Sequence, residues 1–305
     1  MEYRLSLKLV ISILILIACI IGVEYYMGWT TLLQPWQELS LIAVTIAMLL
    51  SFASYAIRAW RVYDYFGAHV QGHFLTTLRI VLQHNLLNMM LPMRTGELGF
   101  PVLMKRYFDT PVMESVPALF WFRLLDLHTV LTLGLIALGS FWLAWYWVVL
   151  ATLAMLVVPL IAFFAHHQIL AKLEGHEGKL FSFIHKALDS LPKTRAEFWR
   201  SWGLTILNWV VKLAAFAWVF AQFAPMPWTA ALGGVIGGDL ASALPIHGVA
   251  GAGTFEAGVV FGALFFNIPA EVALPAAVNL HLFILGSILF GGAVSLVIKS
   301  RAKAA

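Results

Sequence analysis

Long apolar runs separated by short polar interruptions dominate this sequence. A run of about 20 apolar residues has the length of an α-helix that crosses the hydrocarbon core of a bilayer. Because lipid offers no hydrogen-bond partner to a bare backbone, such runs predict an all-α, polytopic membrane helix bundle. Six runs are long enough to span, and two pairs have shorter arms. The long runs cover 7–27, 39–60, 113–139, 142–165, 201–224 and 272–298, and the pairs cover 74–91 with 98–106 and 229–244 with 254–267.

Composition supports the same fold class. The 305 residues include 19 Lys and Arg and 15 Asp and Glu, so only 11% are charged, whereas about 25% is usual in soluble domains. The mean hydropathy of +0.88 excludes a cytosolic enzyme, a nucleic-acid-binding domain and a disordered chain. A single cysteine, Cys19, excludes an internal disulfide. At about 20 residues per crossing, the chain has room for about eight to ten membrane segments.

The predicted organisation is one transmembrane domain over 1–305. Its two pseudo-repeat halves, about 1–165 and 201–305, are joined by a cytoplasmic loop at 166–200. Within this loop, Phe181, Ile184, Leu188 and Leu191 share one helical face. This pattern predicts a helix on the cytoplasmic leaflet, with a partner-docking helix as the alternative.

The amino-terminal run is interpreted as an uncleaved helix. Arg4 and Lys8 precede it, which also suits a signal sequence, and the residues before Cys19 are similar to a lipoprotein cleavage box. The apolar run nevertheless continues past Cys19 to the aromatic residues Tyr25 and Tyr26, which are typical of a membrane interface.

Cations predict the orientation. Most of the 19 Lys and Arg lie at the two termini, near 58–61, at 105–106 and within 166–200. The loops on the other side, near 28–38, 140–146, 225–228 and 268–271, contain none. Because Lys and Arg accumulate in cytoplasmic loops, both termini are expected in the cytoplasm of a bacterial-type inner membrane.

Two polar interruptions, at 92–97 and 245–253, divide the short-armed pairs. Each begins with a Leu-Pro dipeptide and continues through glycine to glutamate. Each pair is either a re-entrant hairpin or two full crossings. The arms 98–106 and 254–267 are too short to span comfortably, which favours two re-entrant hairpins, one entering from each face of the membrane. Interruptions of opposite sense in two halves are typical of inverted repeats whose broken helices meet near the midplane.

Candidate substrate-binding residues are the polar groups within these segments and at the interruptions, where an unpaired charge costs several kcal/mol. They are Asn88, Arg94, Gly96, Glu97, Arg123, Asp126, Lys212, Asp239, His247, Gly253 and Glu256.

Their pattern suits a phosphate-bearing ligand. Cationic side chains such as Arg94 and Arg123 attract phosphate, and the unsatisfied amides of helix starts near Gly96 and Gly253 favour an anion. The carboxylates would balance these cations, contact a cationic headgroup or carry protons. The alternative is that the charges pair internally and fasten helices together, above all Arg123 with Asp126 at i,i+3. For Gly233, Gly234, Gly237, Gly238, Gly258 and Gly262, the small-residue spacing favours tight helix packing.

Three motifs carry a family resemblance. They are Asn88 with Leu91–Glu97, Phe122–Asp126, and the stretch from Leu244 to Glu256. Over nearly its whole length the chain resembles the transmembrane, flippase-like domain of lysylphosphatidylglycerol synthases and their stand-alone relatives. This resemblance implies a bundle with two re-entrant elements that moves phospholipid headgroups between leaflets. Long members add a soluble aminoacyl-transferring domain, which we do not expect in a chain ending at Ala305.

The predicted function is that of a lipid flippase or scramblase, which moves a phosphate-containing headgroup through a polar cleft while the acyl tails remain in the bilayer. Two alternatives stay open, a polyprenyl-phosphate or glycolipid carrier flippase and a non-transporting scaffold for a lipid-modifying or glycosyl-transferring enzyme. No nucleotide motif and no nucleophile–base pair is found, so transport is expected to be passive or ion-coupled and the chain is not expected to be an enzyme. No cofactor, metal or nucleic acid is expected. The sequence allows association with a second copy of the chain or with a lipid-modifying enzyme, and it does not identify the lipid.

Overall fold

The computed structural model describes residues 2–173, 178, 181, 191–192, 194–242 and 249–299. The structure is 87% helical and contains no strand in these residues, which confirms the all-α prediction. The predicted leaflet helix around 181–191 lies largely outside the described residues, and so does His247. For Pro92, Met93 and Arg94 the backbone alone is described.

Helices of at least ten residues form the body of each part of the chain. They are α1 (Glu2–Tyr26), α2 (Leu41–Tyr65), α3 (Phe74–Met90), α4 (Gly99–Phe108), α5 (Val112–Leu138), α6 (Trp145–Leu173), α7 (Arg195–Phe223), α8 (Trp228–Ser242), α9 (Thr254–Leu264) and α10 (Ala270–Val297). Short helices cover Trp29–Leu33, Pro35–Glu38 and Gly67–Val70, and 3-10 turns cover Pro92–Leu98, Gly139–Phe141 and Val249–Gly251.

In the part of the chain that the structure describes, five helices, α2, α5, α6, α7 and α10, are long and apolar enough to cross a membrane. Residues 13–26 and 29–38, bent by 90°, make a sixth candidate if they count as one span. The chain is therefore a multi-pass membrane protein. The number is below the eight to ten that length allows, because the interruptions leave α3, α4, α8 and α9 with 17, 10, 15 and 11 residues.

The chain divides into two compact units. The first contains Met1–Tyr55, Leu82–Gly99 and Val210–Val297, and the second contains Ala56–Val81, Phe100–Trp209 and Ile298–Ala305. Each unit thus draws segments from both predicted pseudo-repeat halves. The inverted repeat between those halves stays a prediction.

In the first unit, α8 and α9 form a tightly packed hairpin. A Cβ atom added to Gly237 would collide with the carbonyl oxygen of Gly258, and one added to Gly262 would collide with that of Gly233. Since the partner of Gly237 precedes that of Gly233 in sequence, the two helices run antiparallel. The tight-packing interpretation of these glycines is confirmed.

The segment after α1 is fixed to α10 in the same unit. The indole of Trp36 donates to Oδ1 of Asn279 at 2.7 Å, and Nδ2 of Asn279 donates to the carbonyl of Leu32 at 2.9 Å. Asn279 is buried, so its amide satisfies its hydrogen-bonding capacity through this clamp.

Candidate functional site

The two interruptions of the sequence meet in the first unit. The 3-10 turn at 92–98 is in contact with the 3-10 turn at 249–251, and α1 contacts both. The first turn begins at Pro92, after a Leu91 that is extended, as the residue before proline prefers to be. A Cβ atom on Gly96 would lie 2.5 Å from the amide nitrogen of Asn88, so only glycine allows this turn to fold back against α3.

The turn at 92–98 presents Glu97 to the end of α3. Oε2 of Glu97 lies 3.3 Å from Nε2 of His84, and Nδ2 of Asn88 lies 3.1 Å from the same nitrogen. His84 is buried, whereas the Glu97 side chain is 22% exposed. The structure therefore brings the candidates Asn88 and Glu97 together around the buried His84.

The turn at 249–251 leads into a second carboxylate–histidine pair. Nδ1 of His281 lies 2.5 Å from Oε1 of Glu256, and Nε2 of His281 lies 2.9 Å from the carbonyl oxygen of Ala250. Oε2 of Glu256 accepts the amide of Gly253 at 2.8 Å. The predicted anion-binding amide at this helix start is thus bonded to the chain's own carboxylate.

His281 was not among the predicted residues. It lies near the middle of α10, which is one of the candidate spans. The signal in the sequence was the presence of two polar residues, Asn279 and His281, inside the apolar run 272–298.

Lys212 and Asp239 form a further ion pair in the first unit, with Nζ of Lys212 2.6 Å from Oδ1 of Asp239. Both side chains are largely buried. Oδ2 of Asp239 is buried and has no hydrogen-bond partner among the residues that the structure describes. The charge of Lys212, a predicted phosphate-binding residue, is therefore neutralised by Asp239. The second oxygen of this carboxylate could accept a hydrogen bond from another donor.

In the second unit, Asp126 is the centre of a buried cluster. Nη1 of Arg61 lies 2.7 Å from Oδ1 of Asp126, and Nε1 of Trp209 donates to the same oxygen at 3.0 Å. Nη1 of Arg123 approaches Oδ2 at 3.3 Å, so the predicted i,i+3 pair exists but is the longer of the two arginine contacts. Nη1 of Arg61 also donates to Oγ1 of Thr205 at 2.8 Å. Asp126 thus has its acceptor capacity filled by the protein itself.

Arg61 is a further site residue that was not among the predicted ones. The sequence grouped it with the cytoplasmic loop cations, but it is only 3% exposed and its guanidinium lies 4.5 Å from the ring centroid of Phe122. The signal was the apolar and aromatic run that continues beyond it to Phe66. Arg123 has a 29% exposed side chain and is the more accessible cation of the cluster.

The predicted residues are therefore distributed over two units. Those in the first unit are Asn88, Gly96, Glu97, Lys212, Asp239, Gly253 and Glu256, together with the backbone of Arg94. Arg123 and Asp126 belong to the second unit. In the described ranges, no three His, Cys, Asp or Glu side chains are grouped so that they could hold a metal ion.

Residues 6–292 match the family model described as the lysylphosphatidylglycerol synthase TM region. The chain belongs to this family. The match confirms the resemblance drawn from the three motifs and includes all eleven candidate residues. No curated protein matches the chain. Membership in the lysylphosphatidylglycerol synthase TM family and the candidate spans together indicate a membrane protein of a lipid-related family.

Proposed function

We propose that this chain is a flippase or scramblase that moves a phosphate-bearing lipid headgroup between leaflets. One observation carries the proposal. The turns at 92–98 and 249–251, where the helices are interrupted, contact each other, and a carboxylate paired with a buried histidine lies at each of them. Irregular backbone in a membrane is stable only inside protein or beside a water-filled cavity. Ionisable groups there are costly, so their concentration at the two turns supports a polar route for a headgroup.

The proposed route is lined by groups of both signs. Arg94 and the backbone amides of the 92–98 turn would bind the phosphate, since cations and helix-start amides both favour anions. Glu97, which is partly exposed, would face the hydrated or cationic part of the headgroup. Lys212 would leave its ion pair with Asp239 and bind the phosphate instead. In the second unit, Arg123 is a separate candidate for phosphate, while Asp126 holds Arg61 in place.

The remaining parts of the proposal follow from the sequence. The chain would act without covalent chemistry, in a bacterial-type inner membrane with both termini in the cytoplasm, because the cations concentrate on one side of the predicted segments. The acyl tails would stay in the bilayer while the headgroup passes. A polyprenyl phosphate or glycolipid carrier presents the same phosphate chemistry and is the second substrate class to be tested.

Reconstitution tests the proposal. The purified chain is placed in phosphatidylcholine vesicles that contain acyl-labelled phosphatidylglycerol, and a membrane-impermeant reductant bleaches the label in the outer leaflet. Transport predicts that inner-leaflet label becomes accessible faster than in empty vesicles. Unlabelled phosphatidylglycerol, phosphatidylethanolamine, aminoacylated phosphatidylglycerol and polyprenyl phosphate are then compared as competitors. Labelled forms of the other three lipids are assayed in the same way, and if none of the four labelled lipids moves faster than in empty vesicles, transport is contradicted.

Variants separate transport from a scaffold role. Arg94→Ala should slow the movement by about tenfold to a hundredfold, because a charge-assisted hydrogen bond contributes roughly 1.5–3 kcal/mol and 1.4 kcal/mol corresponds to tenfold. Arg106→Ala, which removes a cation near the end of α4, serves as the control and should leave the rate unchanged. Equal rates in Arg94→Ala, Glu97→Gln and the wild type would favour the scaffold.

A further inference from the structure

The hydrogen-bond partners of Glu256 and His281 indicate how many protons this pair holds. The carbonyl of Ala250, 2.9 Å from Nε2 of His281, only accepts hydrogen bonds, so Nε2 carries a proton. Nδ1 and Oε1 of Glu256 lie 2.5 Å apart, and two lone pairs at that distance would repel. A second proton therefore lies between them, whether it is assigned to the imidazole or to the carboxyl group.

We propose that this shared proton is the coupling ion of the transporter, bound and released by Glu256 and His281 as lipid moves. The inference rests on the proposed flippase function and identifies the ion that drives it. The pair is buried, with 8% of the His281 side chain and 13% of the Glu256 side chain exposed. With the proton the pair has no net charge, and without it a single negative charge remains inside the protein, which is unfavourable.

The proton is connected to the backbone of the turn. His281 holds the carbonyl of Ala250, whose φ of 61° lies in the left-handed region that non-glycine residues rarely adopt. Gly251 and Gly253 follow with φ of 82° and 85°. When the proton leaves, repulsion between Nδ1 and Oε1 separates the imidazole from the carboxylate and releases this strained turn. Since the 249–251 turn contacts the 92–98 turn, the change reaches the proposed headgroup route.

Other ionisable groups on the elements around Glu256 and His281 are bonded to other residues or lie away from this pair. Glu97 contacts His84, Asp239 contacts Lys212, and Glu24 accepts the amide of Trp29 at the far end of α1. Cys19 of α1 lies close to the second turn, since its Sγ is 3.4 Å from a Cβ built on Gly253. Glu271 lies in the first turn of α10, away from His281. Among the described groups, Glu256 with His281 is the pair that joins a candidate span directly to a turn.

The test imposes a pH gradient on the same vesicles with the membrane potential clamped. A transporter that exchanges one proton per lipid should enrich labelled phosphatidylglycerol in one leaflet by about tenfold for each pH unit, since one unit is worth 1.36 kcal/mol. Without a gradient, the label should equilibrate equally. Glu256→Gln and His281→Gln should lose the enrichment, which is scored as the ratio of label between the leaflets at the end point, so that a slower movement of lipid in these variants does not affect the result. His128→Gln is the matched control, because His128 also lies on a candidate span and its Nε2 lies 2.8 Å from a carbonyl oxygen, that of Met155, and not from a carboxylate.

The outcomes distinguish the two proposals. Lipid movement without any enrichment in the wild type overturns proton coupling and leaves the flippase function standing. Enrichment that persists in both glutamine variants also overturns the assignment to this pair. No lipid movement under any condition contradicts the flippase function itself. If a glutamine variant does not fold or no longer moves lipid, Glu256→Asp and His281→Asn are scored in the same way, and a reduced ratio of label between the leaflets at the end point is expected.

Discussion

Buried carboxylates in the described part of the chain differ in how far the protein already satisfies them. Asp126 receives hydrogen bonds from Arg61, Trp209 and Arg123, so it has little capacity left for a ligand. Glu97 lies 3.3 Å from His84, and its side chain is 22% exposed. The first arrangement suits a structural clamp, and the exposure of Glu97 suits a group that contacts a passing headgroup.

Asp126→Asn should therefore destabilise the protein strongly. The substitution keeps the shape but leaves Arg61 buried without a counter-charge, and breaking a buried pair in this way costs about 3–5 kcal/mol. Thermal unfolding of the purified protein in detergent measures the loss.

Asp109→Asn provides the comparison. It removes the charge from an exposed pair with Lys105 and should cost no more than about 1 kcal/mol. Asparagine also tolerates the φ of 56° at this position. Equal unfolding temperatures for the two variants would contradict the clamp.

The sequence predicted the pairing of Asp126 with Arg123 but not its shorter contact with Arg61. Helical spacing reveals neighbours at i,i+3, whereas Arg61 is 65 positions from Asp126 in the chain. The same limit applies to His281, which is 25 positions from Glu256 and on another helix. Pairs between helices depend on packing, which a single sequence does not encode in any short pattern.

Among the helices, the positions of the apolar elements and most of their ends were predicted closely, and a few ends were not. The run 39–60 became α2 at Leu41–Tyr65, because Asp126 neutralises Arg61 and the helix continues past a charge that had been taken for its end. The interrupted pairs were correctly predicted as short helices on either side of a break, since proline and glycine interrupt helices locally. Re-entry into the membrane stays a prediction.

The α8–α9 hairpin gives a prediction for a whole element. Gly237→Ala would place a methyl group against the carbonyl oxygen of Gly258, and the two helices would have to separate. Overpacking of this kind typically costs about 1–3 kcal/mol, so both the unfolding temperature and lipid transport should fall.

Gly286→Ala on α10 is the matched control, because a Cβ there meets nothing within 4 Å. This change should be neutral or stabilising by about 0.5–1 kcal/mol, since alanine is the better helix former. A Gly237→Ala protein as stable and active as Gly286→Ala would show that close contact between α8 and α9 is dispensable.

For the molecule as a whole, the sequence predicted the fold class and the family, but it did not predict the division into two compact units. Apolar periodicity and the three motifs led to an all-α membrane protein of the lysylphosphatidylglycerol synthase TM family. The interleaved units were not predicted, because their boundaries pass through α2, α3 and α7 rather than through loops. Such boundaries leave no mark in composition.

Water access tests the proposed route on the scale of the molecule. In a Cys19→Ser background, Thr95→Cys should react with a membrane-impermeant thiol reagent, because Thr95 is exposed in the 92–98 turn. Leu289→Cys on α10 should not react, since this exposed leucine belongs to a candidate membrane span. Protection of Thr95→Cys from both sides of the membrane would argue against a hydrated route.

Reporter fusions test the predicted orientation. Green fluorescent protein at either terminus should fluoresce, and alkaline phosphatase inserted at 225–228 should be active, because the cations lie on the terminal side and not on the other. An active phosphatase at a terminus would reverse or refute the assignment.

The glycine contacts between α8 and α9 have a mechanical consequence. Where the backbone of one helix touches the backbone of the other, no hydrocarbon chain has room to insert, and the two arms cannot slide without steric overlap. The hairpin should therefore behave as a single stiff wedge. Any opening wide enough for a passing lipid must then form along its outer flanks or by pivoting at its tip, and never by parting its arms.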